Sequence, residues 1–390
     1  MFPKLRFKEF DGDWQKTTIG AKSEIVTSGS RDWAQYYSDS GDKFIRMTNL
    51  VRNGINLDLS DLRFVQLPVG SNEGKRTSLE KGDILISITA ELGKLGWIPE
   101  GLGTAYINQH TALVRMKNTL DSKFVAYALS TEKYNNKLNS LNDSGAKAGL
   151  NLGSIRSFEL TIPSKEEQAK IASFLSNVDE KISQLTQKHT LLSQYKQGMM
   201  QKLFSQQIRF KADDGSEFGE WEGKELHQIF QIKAGGDIEK SSVSEVRTSE
   251  FSYPIFANSD KNKGFYGWAN KFKYKEAVTV TGRGNLGIAV ARNEPFYPIV
   301  RLLVLLPLVK QNLKFFEEQI NLLDIVSEST GVPQLTAPQL SKYKVNVPSL
   351  EEQTKIANFL SSIDQKIEVV AQQIEQAKQW KKGLLQQMFI

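Results

Sequence analysis

The chain has 390 residues, with 50 Lys+Arg against 44 Asp+Glu, a formal net charge of +6 and a pI near 9.1. The length leaves room for two or three domains, and 39% hydrophobic with 24% charged residues is a globular composition. The absence of cysteine excludes a disulfide framework, a thiol nucleophile and a Cys-ligated zinc or iron–sulfur site. Three scattered histidines (His110, His189, His227) leave little for a metal cluster or a Ser-His-Asp triad.

In chain order, Met1 to Arg6 runs into charged residues, without the apolar stretch of a signal peptide. The greasiest run, Ile299 to Val309, contains Arg301 and Pro307 and is half the length of a membrane span. It reads as one or two buried strands of a cytoplasmic protein. A first block, residues 31–156, mixes β-like runs such as Lys81–Ser87 with a helical piece over Ser122–Asn136. Gly70 to Thr77 resembles a P-loop but has three residues between its glycines and Arg76 where Ser or Thr must hold magnesium, so it is rejected. A long helix follows over 162–205. A second block, residues 222–345, carries a strand over Lys275–Thr281 and a helix over Asn312–Leu323. Its Gly282-Arg-Gly284-Asn-Leu-Gly287 has the letters of a dinucleotide fingerprint, but β-like sequence follows where a helix is needed. The glycines therefore shape a hairpin or a loop beside a ligand. Asn293-Glu294-Pro295-Phe296 lacks the first proline of the Asn-Pro-Pro-Phe motif of amino-methyltransferases. A second long helix spans 347–390. No nucleophile–base pair, metal cluster or carboxylate dyad stands out.

The two long helices are near copies. Pro163 to Ile182 and Pro348 to Ile367 match at a constant offset of 185, which also relates Gly198 to Gly383 and Phe204 to Phe389. Arg6-Phe7-Lys8 and Trp14 reappear as Arg209-Phe210-Lys211 and Trp221. Each helix opens with an N-cap serine, Ser164 or Ser349, and with Glu167 or Glu352 three residues later, the spacing of a capping box. Apolar residues then recur at three and four, with Ile171, Leu175, Val178 and Ile182 in the first and Ile356, Leu360, Ile363 and Ile367 in the second. The seams extend through His189, Leu192 and Lys196, and through Ile374, Ala377 and Lys381. This is a coiled-coil seam of about five heptads, with two amphipathic helices packed on the globular parts as the alternative. About 40 residues per helix give roughly 60 Å. The intervening domain has a radius of gyration of roughly 14 Å and could hardly carry the chain back that far. The second helix is therefore expected to run antiparallel to the first, giving a pseudo-two-fold rod with a block at each end.

The blocks agree only faintly in sequence, yet each holds 16 basic and 13 acidic residues, so together they carry the whole +6. That is the distribution for blocks that touch a polyanion and helices that touch protein. Cations and amides that could meet phosphates or base edges are Lys43, Arg46, Asn49, Arg52, Lys75, Arg76 and Lys94 in the first block. In the second they are Asn258, Lys261, Lys263, Lys271, Lys273, Arg283 and Asn285, among aromatics such as Tyr266 and Trp268.

Two unlike blocks alternating with two copies of Pro-Ser-x-Glu-Glu-Gln-x-Lys-Ile-Ala-x-Phe-Leu-Ser resemble the specificity subunit of type I restriction–modification systems, over essentially the whole chain. Gly149 to Leu152 and Gly331 to Leu335 look like that family's domain ends. The resemblance implies a mixed α+β fold with two target-recognition domains, 1–161 and 206–346, separated by antiparallel helices over 162–205 and 347–390. Each domain would read one part of a split, asymmetric double-stranded DNA site. The helices would dock two methyltransferase subunits, to which restriction subunits add. S-adenosylmethionine, ATP and magnesium would belong to those partners, with no cofactor and no catalytic residue in this chain. The alternatives are a DNA-binding regulator, a structural tether, or an enzyme with an unrecognised site.

Overall fold

The computed structural model describes residues 3–141, 149–325 and 334–389, so Gly331, Val332 and Pro333 of the second expected domain end lie outside the described residues. The chain forms two compact units, residues 1–186 with 372–390 and residues 187–371. This division cuts both long helices near their middles, where the sequence reading treats each helix as a segment of its own.

The first unit contains, in order, β1 (Gln15–Thr18), α1 (Ile19–Lys22), β2 (Ser23–Ser28), β3 (Tyr37–Ser38), β4 (Asp42–Ile45), β5 (Arg63–Val65), β6 (Ile84–Ser87), β7 (Leu95–Trp97), β8 (Ala105–Ile107), β9 (Thr111–Met116), α2 (Ser122–Ser130), α3 (Glu132–Ser140), α4 (Leu152–Ser157), β10 (Glu159–Ile162) and the first half of α5 (Lys165–Phe204). Its strands form sheets ordered β2-β9-β6-β7 and β3-β5-β4-β8, with β1 paired to β10; only the β4–β8 pair is parallel.

The second unit holds the other half of α5 and then β11 (Glu222–Glu225), α6 (Leu226–Ile229), β12 (Phe230–Ala234), β13 (Val243–Ser244), β14 (Tyr253–Phe256), β15 (Phe265–Ala269), β16 (Ala277–Val280), β17 (Ala289–Arg292), β18 (Tyr297–Pro298), β19 (Leu303–Pro307), α7 (Leu313–Ile320), α8 (Ala337–Ser341), β20 (Lys344–Val347) and the start of α9 (Leu350–Met388). Its sheets are β12-β19-β16-β17 and β13-β15-β14-β18, with β11 paired to β20 and β14–β18 parallel. Adding ten to any strand number of the first unit gives its counterpart in the second. Two blocks that barely resemble each other in sequence share one mixed α+β topology. In both, the central strands β6 and β16 are buried at every position, as strands covered on both faces are.

The glycine-rich fingerprint of the second block is the loop of the β16–β17 hairpin. The apolar run splits into a continuously buried stretch and exposed residues on either side. Leu303, Val304 and Leu305 are buried in β19, while Val300 and Arg301 form an exposed turn ahead of it and Leu308 and Val309 are exposed behind it. The helix expected over Ser122–Asn136 is two helices. Thr131 ends α2 and caps α3, its side-chain Oγ1 accepting from Tyr134 N at 3.4 Å. No helix among the described residues is long and apolar enough to cross a membrane.

The repeated motif works the same way in both units. Ser164 and Ser349 cap their helices, accepting from Glu167 N and Glu352 N at 3.3 Å. The return half of the expected capping box is replaced by a distant partner. The Glu167 carboxylate, 1% exposed, takes Arg6 Nε and Nη2 at 2.8 and 2.7 Å; Glu352, fully buried, takes Arg209 at 3.1 and 2.8 Å and Trp221 Nε1 at 3.0 Å. These bonds hold both guanidinium groups above their ordinary range, against the opposing effect of burial. The next residue anchors the block: Gln168 Oε1 accepts from Asp121 N, and Gln353 Oε1 from Asn312 N, both at 3.0 Å, at the N-caps of α2 and α7. Phe174 and Phe359, another repeated pair, meet Phe7 and Phe210 edge to face.

The seam residues Ile171, Leu175, Val178, Ile356, Leu360 and Ile363 are at most 5% exposed, and Ile182 and Ile367 pack on the same cores. The seam lysines are ion-paired. In the first unit Lys381 meets Asp179 at 2.5 Å, and Tyr127 donates to the same carboxylate at 2.7 Å. In the second Lys196 meets Asp364 at 2.7 Å and Glu318 at 2.9 Å. In the first unit the start of α5 shares a core with the end of α9, and in the second the end of α5 shares a core with the start of α9; the 185-residue offset maps one ion pair onto the other. Burial works against the Asp364 charge, but Lys196 and Lys314 together hold its carboxyl below the ordinary range.

Gly29 and Gly235 occupy equivalent positions after β2 and β12. A Cβ on Gly29 would lie 2.1 Å from Ile107 O, and one on Gly235 2.8 Å from Pro298 O. Gly29→Ala should therefore destabilise its unit by about 1–3 kcal/mol through forced backbone displacement, and Gly235→Ala by less. Urea titration of the two variants checks the order, and a neutral Gly29→Ala would show that the close approach is dispensable.

Candidate nucleic-acid interface

Beyond β6 and β16, each unit builds the same two loops. In the first, Ser87 Oγ accepts from Lys94 N at 2.8 Å and donates back to Glu91 O; in the second, Thr281 Oγ1 accepts from Ile288 N at 2.9 Å and donates to Asn285 O. A hydroxyl thus latches each hairpin loop. The second loop is a tight turn before β9 or β19, closed by Thr111 N to Asn108 O at 3.2 Å and by Leu302 N to Ile299 O at 3.1 Å. Each turn is tied to the end of β2 or β12 by equivalent bonds, Gln109 N to Ser30 O and Val300 N to Gly236 O.

The hairpin loop and the turn touch. In the first unit Ile88 N donates to His110 O at 3.0 Å, and Thr89 Oγ1 meets His110 Nδ1 at 2.8 Å. In the second, Asn258 clamps both: its Oδ1 accepts from Gly282 N at 2.7 Å and its Nδ2 donates to Val300 O. Lys261 and Lys263 sit beside Asn258 in a turn whose Asn262 and Lys263 have φ of 48° and 52°. Arg292 supports that turn, donating to Lys263 O while its guanidinium lies 3.5 Å over the Phe256 ring. Burial pulls Arg292 down to about 10, with Glu317 opposing, so it stays charged at neutral pH.

This geometry sorts the cations and amides singled out from sequence. Asn49, 1% exposed, accepts from Arg46 N and donates to Asp58 O and Asp61 O; Arg46 pairs with Asp61 at 2.7 Å. Asn258 has both ends of its amide in use. Asn49 and Asn258 are therefore loop supports whose amides face inward. Lys43 donates to Leu102 O, Arg52 to Leu92 O, Lys75 to Asn72 and Arg76 to Thr27 and Ser28 O, while Lys94 pairs with Glu91 and Asn285 with Asp260. The Lys75 and Arg76 bonds are exposed and weak enough to yield to a phosphate, whereas those of Lys43 and Arg52 are half-buried. Lys261, Lys263, Lys271 and Arg283 are exposed, and among the described residues their side chains have no hydrogen-bond or ion-pair partner. Lys273 lies 5.6 Å from the Tyr274 ring. Lys271 and Lys273 belong to the β15–β16 connection, away from the bonds that join the hairpin loop to the turn.

Sequence reasoning missed Arg301, which is exposed beside the Asn258 clamp, and its counterpart His110 with the neighbouring Gln109. The available signal was a charged residue interrupting an apolar run just where the first block has Gln-His ahead of its own apolar strand.

A protein-family model described as the type I restriction modification DNA specificity domain matches residues 12–193 and 219–379. A Mycoplasma pneumoniae chain named as a type I specificity subunit is 28% identical, covering 66% of this chain and 68% of that one. A Methanocaldococcus jannaschii chain named as a type I restriction enzyme specificity subunit is 25% identical over 98% of this chain and 94% of its own. The crystal structure of a type I restriction–modification S subunit from M. genitalium superimposes with a TM-score of 0.67, covering 100% of this chain and 99% of that one at 17% identity.

Proposed function

Because the chain belongs to the type I restriction–modification DNA specificity family, we propose that each block reads its own half of a split, asymmetric duplex site in the cytoplasm, and that the long helices dock two methyltransferase subunits. Restriction subunits complete the assembly. S-adenosylmethionine serves adenine methylation on the methyltransferases, while ATP and magnesium serve the restriction subunits; this chain supplies specificity. The observation that carries the reading is the pairing of one duplicated topology with two different sets of loop side chains. Like helices suit like partners, and unlike loops suit unlike half-sites. Lysines such as Lys261 and Lys271 would position on phosphate, and arginines such as Arg283 on base edges.

The test is a genomic adenine-methylation map of cells that carry this chain together with a type I methyltransferase subunit from the same genome. The expected result is one bipartite, non-palindromic motif that disappears when this chain is deleted. Purified alone, the chain should transfer no methyl groups and hydrolyse no ATP. Methyl transfer by the isolated chain would overturn the reading.

A further inference from the structure

We propose that base specificity rests on the two equivalent tips, Thr89 with Gln109 and His110 in the first block and Arg283 with Val300 and Arg301 in the second. The inference rests on the DNA-reading function proposed above and assigns it to six side chains.

Most bonds of the two tips correspond; the exception is Ile88 N, which donates to His110 O, whereas its counterpart Gly282 N donates to Asn258 Oδ1. Leu150 N donates to Ile88 O at 3.0 Å and Leu335 N to Gly282 O at 2.9 Å, which makes Thr89 the counterpart of Arg283. The closed turns make Gln109 the counterpart of Val300 and His110 of Arg301. The framework is therefore shared and the displayed chemistry differs. The first tip holds a half-buried hydroxyl, imidazole and amide joined in a row, Thr89 Oγ1 to His110 Nδ1 at 2.8 Å and His110 Nε2 to Gln109 Nε2 at 3.1 Å; the second presents two exposed guanidinium groups.

The second tip also holds strain. Val300 and Arg301 have φ of 51° and 59°, a region that a β-branched residue such as valine rarely enters. Val300 is 47% exposed, so burial does not offset it. The conformation is held by Val300 N to Gly236 O, Arg301 N to Gly235 O and the Asn258 clamp on Val300 O. Backbone held in this way fixes the direction of Arg301 beside Arg283, which is what paired hydrogen bonds to guanine O6 and N7 require. Gln109 is the side chain of the first tip suited to adenine N6 and N7; its Nε2 lies 3.1 Å from His110 Nε2, a single contact that it would exchange for the base. Guanine should thus be read in the half-site of the second block, and adenine in that of the first.

The experiment maps adenine methylation in cells carrying the intact chain, or its Arg301→Ala, Arg301→Lys, Arg283→Ala and Gln109→Ala variants, with the same type I methyltransferase subunit. Thermal melts of each purified variant check folding, which substitution of the exposed Arg283 and Arg301 and of the half-buried Gln109 should leave intact. Arg301→Ala and Arg283→Ala should each weaken methylation of the parent motif about 5- to 150-fold and relax a guanine in one half only. Arg301→Lys should relax the same position, because lysine keeps the charge and loses the planar fork. Gln109→Ala should relax the other half. An unchanged motif at unchanged level in the variants overturns the tip assignment alone. So does an equal loss over all sequences, the signature of a phosphate contact. A wild-type chain that yields no split motif overturns the underlying function as well.

Discussion

Arg209→Ala should lower the stability of the second unit by about 3–5 kcal/mol, the cost of stranding a buried charge. The Glu352 carboxylate is fully buried, and Arg209 supplies two of its hydrogen bonds. Without the guanidinium it keeps Trp221 Nε1 and no cation. Arg209 also donates to Gly219 O at 2.7 Å, so the substitution releases the linker before β11 as well. Glu352→Gln should cost less, since it leaves no buried charge. The double variant should recover part of the Arg209→Ala loss, a coupling that a double-mutant cycle reads directly. Arg6→Ala should behave alike in the first unit, where Glu167 is 1% exposed. Urea titration with hydrogen exchange resolved by segment assigns each loss to its unit. A cost below about 1 kcal/mol would mean that water reaches Glu352 once Arg209 is gone.

These carboxylates show where sequence reasoning stops. Ser-x-x-Glu at a helix start is a local pattern, and the serine does cap. The glutamate answers a partner 161 residues away in one unit and 143 in the other, which no helix rule contains. The Arg-Phe-Lys likeness between the N-terminus and the linker was the trace of that partner. The long helices and their seam were legible because a duplicated sequence with a period near 3.6 admits few other readings. The kinship of the blocks was nearly hidden. Their shared topology is marked by continuously buried central strands, latching hydroxyls at Ser87 and Thr281 and close-approach glycines, which leave the exposed loop positions free to diverge. The candidate site was the least legible part. Residue type marked Asn49 and Asn258 as readers, but their amides are used inside the loops. Arg301 was concealed in an apolar run because the run contains a turn, and a turn of two non-glycine residues at positive φ has no common sequence signature.

Exchanging residues 222–345 for the corresponding block of a relative should produce a hybrid methylated motif with one half of the site replaced and the other kept. Most anchors of the block lie outside the exchanged stretch. Arg209, Trp221 and Glu352 remain, as does Gln353 Oε1, which needs only a backbone N–H at position 312. Three anchors travel with the block. The β11–β20 ladder begins inside it, pairing Glu225 with Lys344 and Lys224 with Val345, but those bonds are backbone bonds that any sequence of the same topology can make. Lys314 lies 3.1 Å from Asp364, and Glu318 lies 2.9 Å from Lys196. Glu318 is 3% exposed, so a graft with an apolar residue there would leave Lys196 with Asp364 as its carboxylate partner. A graft that keeps Lys314 and Glu318 should fold and give the hybrid motif. A graft that lacks them should lose stability before it loses specificity. A methylation map of cells carrying each graft, set beside a thermal melt of the purified chain, separates the two effects. A folded graft that changes both halves of the motif would show that the blocks do not read independently.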